Sequence, residues 1–217
     1  MAAKRMQIDF VSDVVCPWCA VGLASLDTAL KRLDGEVAAE IQFQPFELNP
    51  DMPPEGEDRD AHLAKKYGRS KEEFAAAREQ IRQRAAAVGF TMNPQERIYN
   101  SFDAHRLLHW AALVDPAKQT ALKHALLRAY FTEAGDISNA DVLVAKAEEA
   151  GLDPAEARAI LAGDRYAAEV KQEEQAWLAA GINSVPAIVV NRKYLISGGQ
   201  PPEVFENALR EMAQREE

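Results

Sequence analysis

A chain of 217 residues with 47% hydrophobic and 27% charged residues can bury a real core, and its length suits one domain carrying an insertion better than two ordinary domains. A net charge of −9 argues against nucleic acid or an anionic membrane surface as a partner. No run approaches the roughly 18 to 20 apolar residues of a membrane span, and Met1 to Met6 lacks the apolar stretch of a signal peptide, so the expectation is a cytoplasmic protein in a reducing compartment.

In chain order, residues 5–12 alternate as a strand and 16–34 carry Leu23, Leu26, Leu30 and Leu33 at helical spacing, closed by Asp34-Gly35. Residues 40–48 read as a second strand ending at Pro45, giving a βαβ opening. Asn49 to Asp60 collects Pro50, Pro53, Pro54 and Gly56 and reads as an exposed connection. About a hundred residues of helical pattern follow. Ser70 to Glu73 is a capping box for a helix with Phe74, Ile81 and Val88 inward. Asn100 or Ser101 opens another with Phe102, Leu107, Leu108, Trp110, Leu113 and Val114, apolar on many sides. Asp115-Pro116 starts a third with Leu122, Leu126, Tyr130 and Phe131 buried, Ser138 to Asp141 caps a fourth, and Asp153 to Glu156 caps a short fifth.

From Asp164 to Ala180 a further helix sets Tyr166, Val170 and Trp177 on one side. Val185 to Val190 and Tyr194 to Ile196 then read as a hairpin across Asn191-Arg192-Lys193, and Pro201-Pro202 opens a last helix with Val204, Phe205, Leu209 and Met212 inward. The order is β-α-β, inserted helices, α-β-β-α. This predicts an α/β fold with a large all-helical insertion, divided as 1–58, 59–163 and 164–217.

The chemistry-bearing stretch is Cys16-Pro17-Trp18-Cys19, a cysteine pair between a strand and a helix. The first turn of a helix offers unpaired N–H groups and a partial positive charge, so a thiolate there is favoured over a thiol. Cys16 is expected to be the exposed, attacking sulfur and Cys19 the resolving one. Pro17 suits the first helical position. These are the chain's only cysteines, and no second Cys or His pair follows at ligand spacing, which disfavours zinc. A static bridge is disfavoured because it would close almost no loop. His105 and His109 share a helical face, but neither an HExxH glutamate nor a third ligand accompanies them, so packing outweighs metal and the metal expectation is none. Glu47 is a candidate proton acceptor for Cys19, against a solvated strand-end acid.

Asp9 to Cys19, Pro45 to Pro50, Ala104-His105-Arg106, Ala129-Tyr130-Phe131, Val185-Pro186 and Tyr194 to Pro201 together resemble the thioredoxin fold as elaborated in the DsbA superfamily, most closely its cytoplasmic FrnE-like branch. The resemblance implies a thiol–disulfide oxidoreductase with a cis Pro186 beside the nucleophilic sulfur, and with the Val185 backbone free to pair with an extended substrate. It requires no organic cofactor and takes a thiol or disulfide substrate, protein or small molecule. Glutathione as a redox partner is left open, with Asn49 and Val185 at its places in related proteins; His105 is carried as a third substrate-side candidate. Two departures stand out. Ser184 occupies a place often held by glycine, and Trp18 one held by histidine in strongly oxidising members, which predicts a less extreme potential. Glutathione transferases of the kappa class and hydroxychromene-carboxylate isomerases usually lack the second cysteine, so Cys19 speaks against that alternative. A redox-switched client-binding protein is the other alternative, and both monomer and homodimer stay open.

Overall fold

The computed structural model describes residues 3–68 and 70–215, so the first two residues of the N-terminal stretch read above lie outside it. Among these residues the chain forms β1 (Lys4–Ser12), α1 (Pro17–Arg32), β2 (Val37–Pro45), β3 (Glu57–Asp58), α2 (Arg59–Tyr67), α3 (Lys71–Ala87), β4 (Arg97–Ile98) and α4 (Phe102–Val114). It continues through α5 (Pro116–Phe131), α6 (Ala140–Glu149), α7 (Pro154–Leu161), α8 (Ala167–Ala179), β5 (Ala187–Val190), β6 (Tyr194–Ser197) and α9 (Pro202–Arg215). This is the thioredoxin-like α/β architecture, with helices inserted between the second and third strands of its main sheet.

That sheet runs β2-β1-β5-β6. β1 is central because it is apolar toward both faces. Ile8 and Phe10 enter the main core, while Val11 enters a smaller cluster with Phe46, Ile182 and Ala187. β2 pairs with it in parallel from Lys4 opposite Val37 to Ser12 opposite Pro45, starting three residues earlier than the sequence pattern suggested. β5 runs antiparallel to β1 with Val11 opposite Ala187. The residue before Ala187 is Pro186, so this register alone brings the Val185–Pro186 segment to the end of β1 from which Cys16 departs.

The far edge of β2 is closed by a side chain. Gln119 of α5 accepts from Phe43 N–H at 3.0 Å and donates to Phe43 C=O at 2.9 Å, mimicking a neighbouring strand. Such a buried pair stabilises by about 1 kcal/mol per bond, and its loss would leave strand groups unpaired. The hairpin turn places Asn191 and Arg192 at φ of 51° and 53°, and Asn191 exchanges bonds with Gln7, extending the β1–β5 ladder by one residue.

Apart from that smaller cluster, buried apolar residues of the sheet, of α1, of α4 to α7 and of α9 form one continuous core. Several local expectations need correction. The connection from Asn49 is not simply exposed: Met52 is buried, and Glu57–Asp58 pair with Arg97–Ile98 as a short ribbon. Ser70 and Glu73 do form the capping box and α4 does open after Asn100 and Ser101, with Asn100 supplying the side-chain bond, but Asn139 rather than Ser138 caps α6. Tyr166 lies in the left-handed region, so α8 begins after it. Leu113 (66% exposed) and Val114 face outward because α4 ends there, and Val204 sits on the outer side of α9.

Candidate active site

The site grows from the end of β1. Asp13 lies in the turn after Ser12, and its backbone C=O accepts from Cys16 N–H at 3.3 Å. Its carboxylate ties three segments together: Oδ1 accepts from Val15 N–H, Oδ2 accepts from Leu48 N–H at 2.7 Å, and Ser101 and His105 approach from the start of α4. His105 Nε2 is 3.5 Å from Oδ1. Burial opposes charge on Asp13, but the field of the nearby His105 ring and the Leu48 N–H bond outweigh it and hold the carboxyl below its ordinary range.

Cys16 is the residue that begins α1, with extended backbone (φ −87°, ψ 114°), and its C=O accepts from Cys19 and Ala20. Pro17 takes the first helical position. The two cysteines are free thiols lying close together, one turn apart. Cys19 is fully buried, and this burial, followed by the hydrogen bond and charge of Cys16, pushes its thiol well above the ordinary range; Lys123 and a backbone bond with Asp13 pull the other way.

Cys16 corrects an expectation: it is 4% exposed rather than open to solvent. The returning chain covers it. The Val185–Pro186 peptide is cis, and the Cys16 thiol donates to the Val185 C=O at 3.8 Å. Gly198 N–H binds the Pro186 C=O at 2.8 Å. Two glycines permit this closeness. A Cβ on Gly22 would lie 3.2 Å from both Pro186 and Gly199, and one on Gly199 would meet the Trp18 C=O at 2.7 Å.

A third segment frames the pair. Arg84 of α3 donates to the Gly199 C=O at 3.1 Å and stacks over the Trp18 ring, 5.6 Å from its centre. Pro17 opens onto a groove of about 230 Å³ between α3 and residues 92–95, with Arg59, Arg78 and Arg82 along its wall.

The structure thus gathers Cys16, Cys19, Pro17, Trp18, Val185 and Pro186. Asn49 lies elsewhere, its Oδ1 accepting from Lys66 at 2.8 Å and meeting His62 at 3.0 Å beside a separate cavity of about 370 Å³. His105 is buried beneath Asp13, its Nε2 3.5 Å from Oδ1, and it lines a cavity of about 220 Å³ together with Phe43, His109 and Gln119. His109 points away to Glu173 at 3.0 Å. Glu47 is not paired with Cys19: Lys171 bonds both Glu47 and Glu174, and Glu174 also accepts from Glu47 N–H. Among the described residues no three His, Cys, Asp or Glu side chains are grouped to hold a metal, and no helix is long and apolar enough to cross a membrane.

Sequence reasoning missed Asp13 as an anchor and Lys123 altogether. The available signal for Lys123 was its place between Leu122 and Leu126, four residues after Gln119 and four before Leu127, inside the buried stripe of α5.

A family model described as DSBA-like thioredoxin domain matches residues 7–210. The crystal structure of a probable DsbA oxidoreductase from Streptomyces coelicolor superposes with a TM-score of 0.88 at 36% identity, covering 98% of this chain and 91% of that one. The Bacillus subtilis (strain 168) protein YwbO, described as uncharacterized, is 28% identical over 207 residues, 94% of this chain and 96% of its own. Cytosolic disulfide reductase DsbM from Pseudomonas aeruginosa, solved with GSH, shares the fold with a TM-score of 0.61 at 18% identity, covering 96% of this chain and 98% of that one.

Proposed function

Since the chain belongs to the DSBA-like thioredoxin domain family, whose members are thiol–disulfide oxidoreductases, we propose that Cys16 and Cys19 cycle between dithiol and disulfide. The observation carrying this reading is the proximity of two free thiols at the N-terminus of α1, with the Val185 carbonyl on the first of them. In the reducing direction Cys16 attacks a substrate disulfide and forms a mixed disulfide, and one substrate sulfur leaves with an electron pair. Cys19 then attacks Cys16, closing the protein disulfide and releasing the second substrate sulfur, so two electrons pass to the substrate. The reverse sequence oxidises a dithiol.

Cys16 sits at the positive end of the α1 dipole, and the protonated, buried Cys19 is the natural second participant. Val185 offers its backbone to an extended substrate once the Cys16–Val185 contact opens. No organic cofactor enters these steps. We place the protein in the FrnE-like branch and in the cytoplasm, with residues 59–163 as an inserted helical domain and glutathione as its small-molecule redox partner. The fold shared with DsbM, itself solved with GSH, supports the last choice. The second thiol close to the first favours exchange over a single-cysteine transferase or isomerase.

The test is turnover of a model protein disulfide such as insulin in the presence of reduced glutathione. The wild-type protein should accelerate reduction and Cys16→Ser should not; equal rates for the two would refute the assignment.

A further inference from the structure

Arg59 opens α2 and lines the groove that begins at Pro17, the residue next to Cys16 in the chain. Its guanidinium is half-buried and reaches only the Gln95 C=O, at 3.4 Å, and no carboxylate among the described residues forms an ion pair with it. The other arginines of the wall are matched. Arg78 pairs with Asp60 at 2.6 Å, and Arg82 with Glu79 at 2.8 Å. Three guanidinium groups against two carboxylates leave one positive charge in the groove of a chain whose net charge is −9.

That charge has no structural task. The start of α2 is capped by Asp58, which accepts from Ala61 N–H at 2.8 Å, and the Arg59 backbone N–H binds the Glu96 C=O at 2.9 Å; neither bond uses the guanidinium. Arginine stays charged at any ordinary pH, so a half-buried one without a counter-ion costs stability. Burial pushes its pKa down, against the fields of Tyr130 and Asp60 and with that of Arg78. The groove also presents Ile81 and Met92, so the lone charge lies among apolar walls. Arg84 of the same α3 grips Gly199 and Trp18 at the cysteine turn, so groove and thiol share one frame.

We propose that Arg59 selects disulfides carrying a carboxylate close to the reacting sulfur, an inference that rests on the exchange reaction above. The planar guanidinium offers a carboxylate two parallel N–H donors, and Ile81 and Met92 take the methylenes between carboxylate and sulfur. The protein as a whole repels anions, so any preference for an acidic disulfide has to arise locally. Arg59 thus sets specificity and takes no part in the exchange of electrons.

Dithiodipropionate and its neutral dimethyl ester differ only at the carboxylate. The pre-reduced full-length protein is mixed with each in stopped flow, and the ratio of acidic to ester rate is compared among variants; a change in the Cys16 thiolate itself would slow both alike and cancel. Arg59→Gln should lower the ratio about tenfold, the worth of a charge-assisted hydrogen bond, through half-saturation rather than the maximal rate. Arg59→Lys should recover part of it. A ratio equal in wild type and Arg59→Gln overturns the proposal. Cystine peptides with Glu or Gln beside the cysteine, and oxidised glutathione beside its ester, distinguish a peptide side chain from a small thiol as the source of the carboxylate. At least one of these pairs must show a ratio that depends on Arg59, and indifference in both overturns the proposal. Should Arg59→Gln fail to fold by circular dichroism, suberate, in which two methylenes replace the two sulfurs, is titrated into ¹⁵N-arginine-labelled wild type. The Arg59 Nε–H resonance must then shift to saturation, and an unmoved resonance overturns the proposal. A wild type that reduces no disulfide refutes the exchange reading, whereas equal handling of acid and ester removes only the role of Arg59.

Discussion

The thiol of Cys16 donates to the backbone carbonyl of Val185 at 3.8 Å, although the two residues lie 169 positions apart in the chain. This contact is the product of sheet register: β1 ends at Ser12, β5 begins at Ala187, and the pairing of Val11 with Ala187 leaves the preceding residues nowhere else to run. It also means that the Cys16 thiol is covered by one of the protein's own carbonyls.

Resolution by Cys19 makes a direct prediction. Cys19→Ser mixed with oxidised glutathione should accumulate a protein–glutathione adduct on Cys16, seen by intact-mass spectrometry and reversed by dithiothreitol. Wild type under the same conditions should pass on to the internal disulfide. An unmodified Cys19→Ser protein would remove Cys16 from the role of attacking sulfur.

Gly199→Ala probes the close approach around Trp18. The added Cβ would lie 2.7 Å from a backbone carbonyl that cannot swing away as a side chain could, so the loop after β6 must shift off the cysteine turn. Overpacking of this kind costs about 1–3 kcal/mol. Chemical denaturation should show that loss together with reduced turnover, and an unchanged midpoint would contradict the geometry.

Arg84 straps α3 to the site through the Gly199 carbonyl and the Trp18 face. Arg84→Ala should therefore loosen the frame beside Cys16 and speed its alkylation by iodoacetamide, at a stability cost of about 1 kcal/mol. Alkylation no faster than in wild type would show that the strap does not guard the sulfur.

Asp13 carries a pH signature. Its folded pKa lies below the ordinary 3.8, so the stability it contributes is fully present above that value and is lost as pH falls through the lowered folded pKa. Asp13→Asn should be destabilised by about 1–3 kcal/mol at neutral pH, since Leu48 and Val15 lose a charged acceptor. The gap to wild type should close in denaturation curves taken well below pH 3.8; a gap independent of pH would exclude the carboxylate as the cause.

Much of this was legible in the residues, for reasons that also explain what was not. The cysteine pair, Pro17 and the strand–helix–strand opening are short-range patterns, and a contiguous stretch encodes them. The capping box at Ser70 and Glu73 is local in the same way. The burial of Cys16 depends on a segment from the other end of the chain, and nothing near residue 16 announces it. Asn49 was a candidate through the places at which related proteins hold glutathione, and two side chains of α2, a helix hidden within a long helical pattern, engage its side-chain carbonyl. Glu47 was similarly captured by Lys171 of α8. Lys123 was invisible because a lysine on a helix is ordinarily a solvated one, and only the packing of α5 against β2 and α1 shows where it goes.

The most direct measurement is an equilibrium titration of the protein against mixtures of reduced and oxidised glutathione, with thiols quenched and counted by mass at each ratio. The account predicts a single two-electron transition in which Cys16 and Cys19 disappear together as one internal bridge. A pair that forms no bridge at any ratio would contradict it.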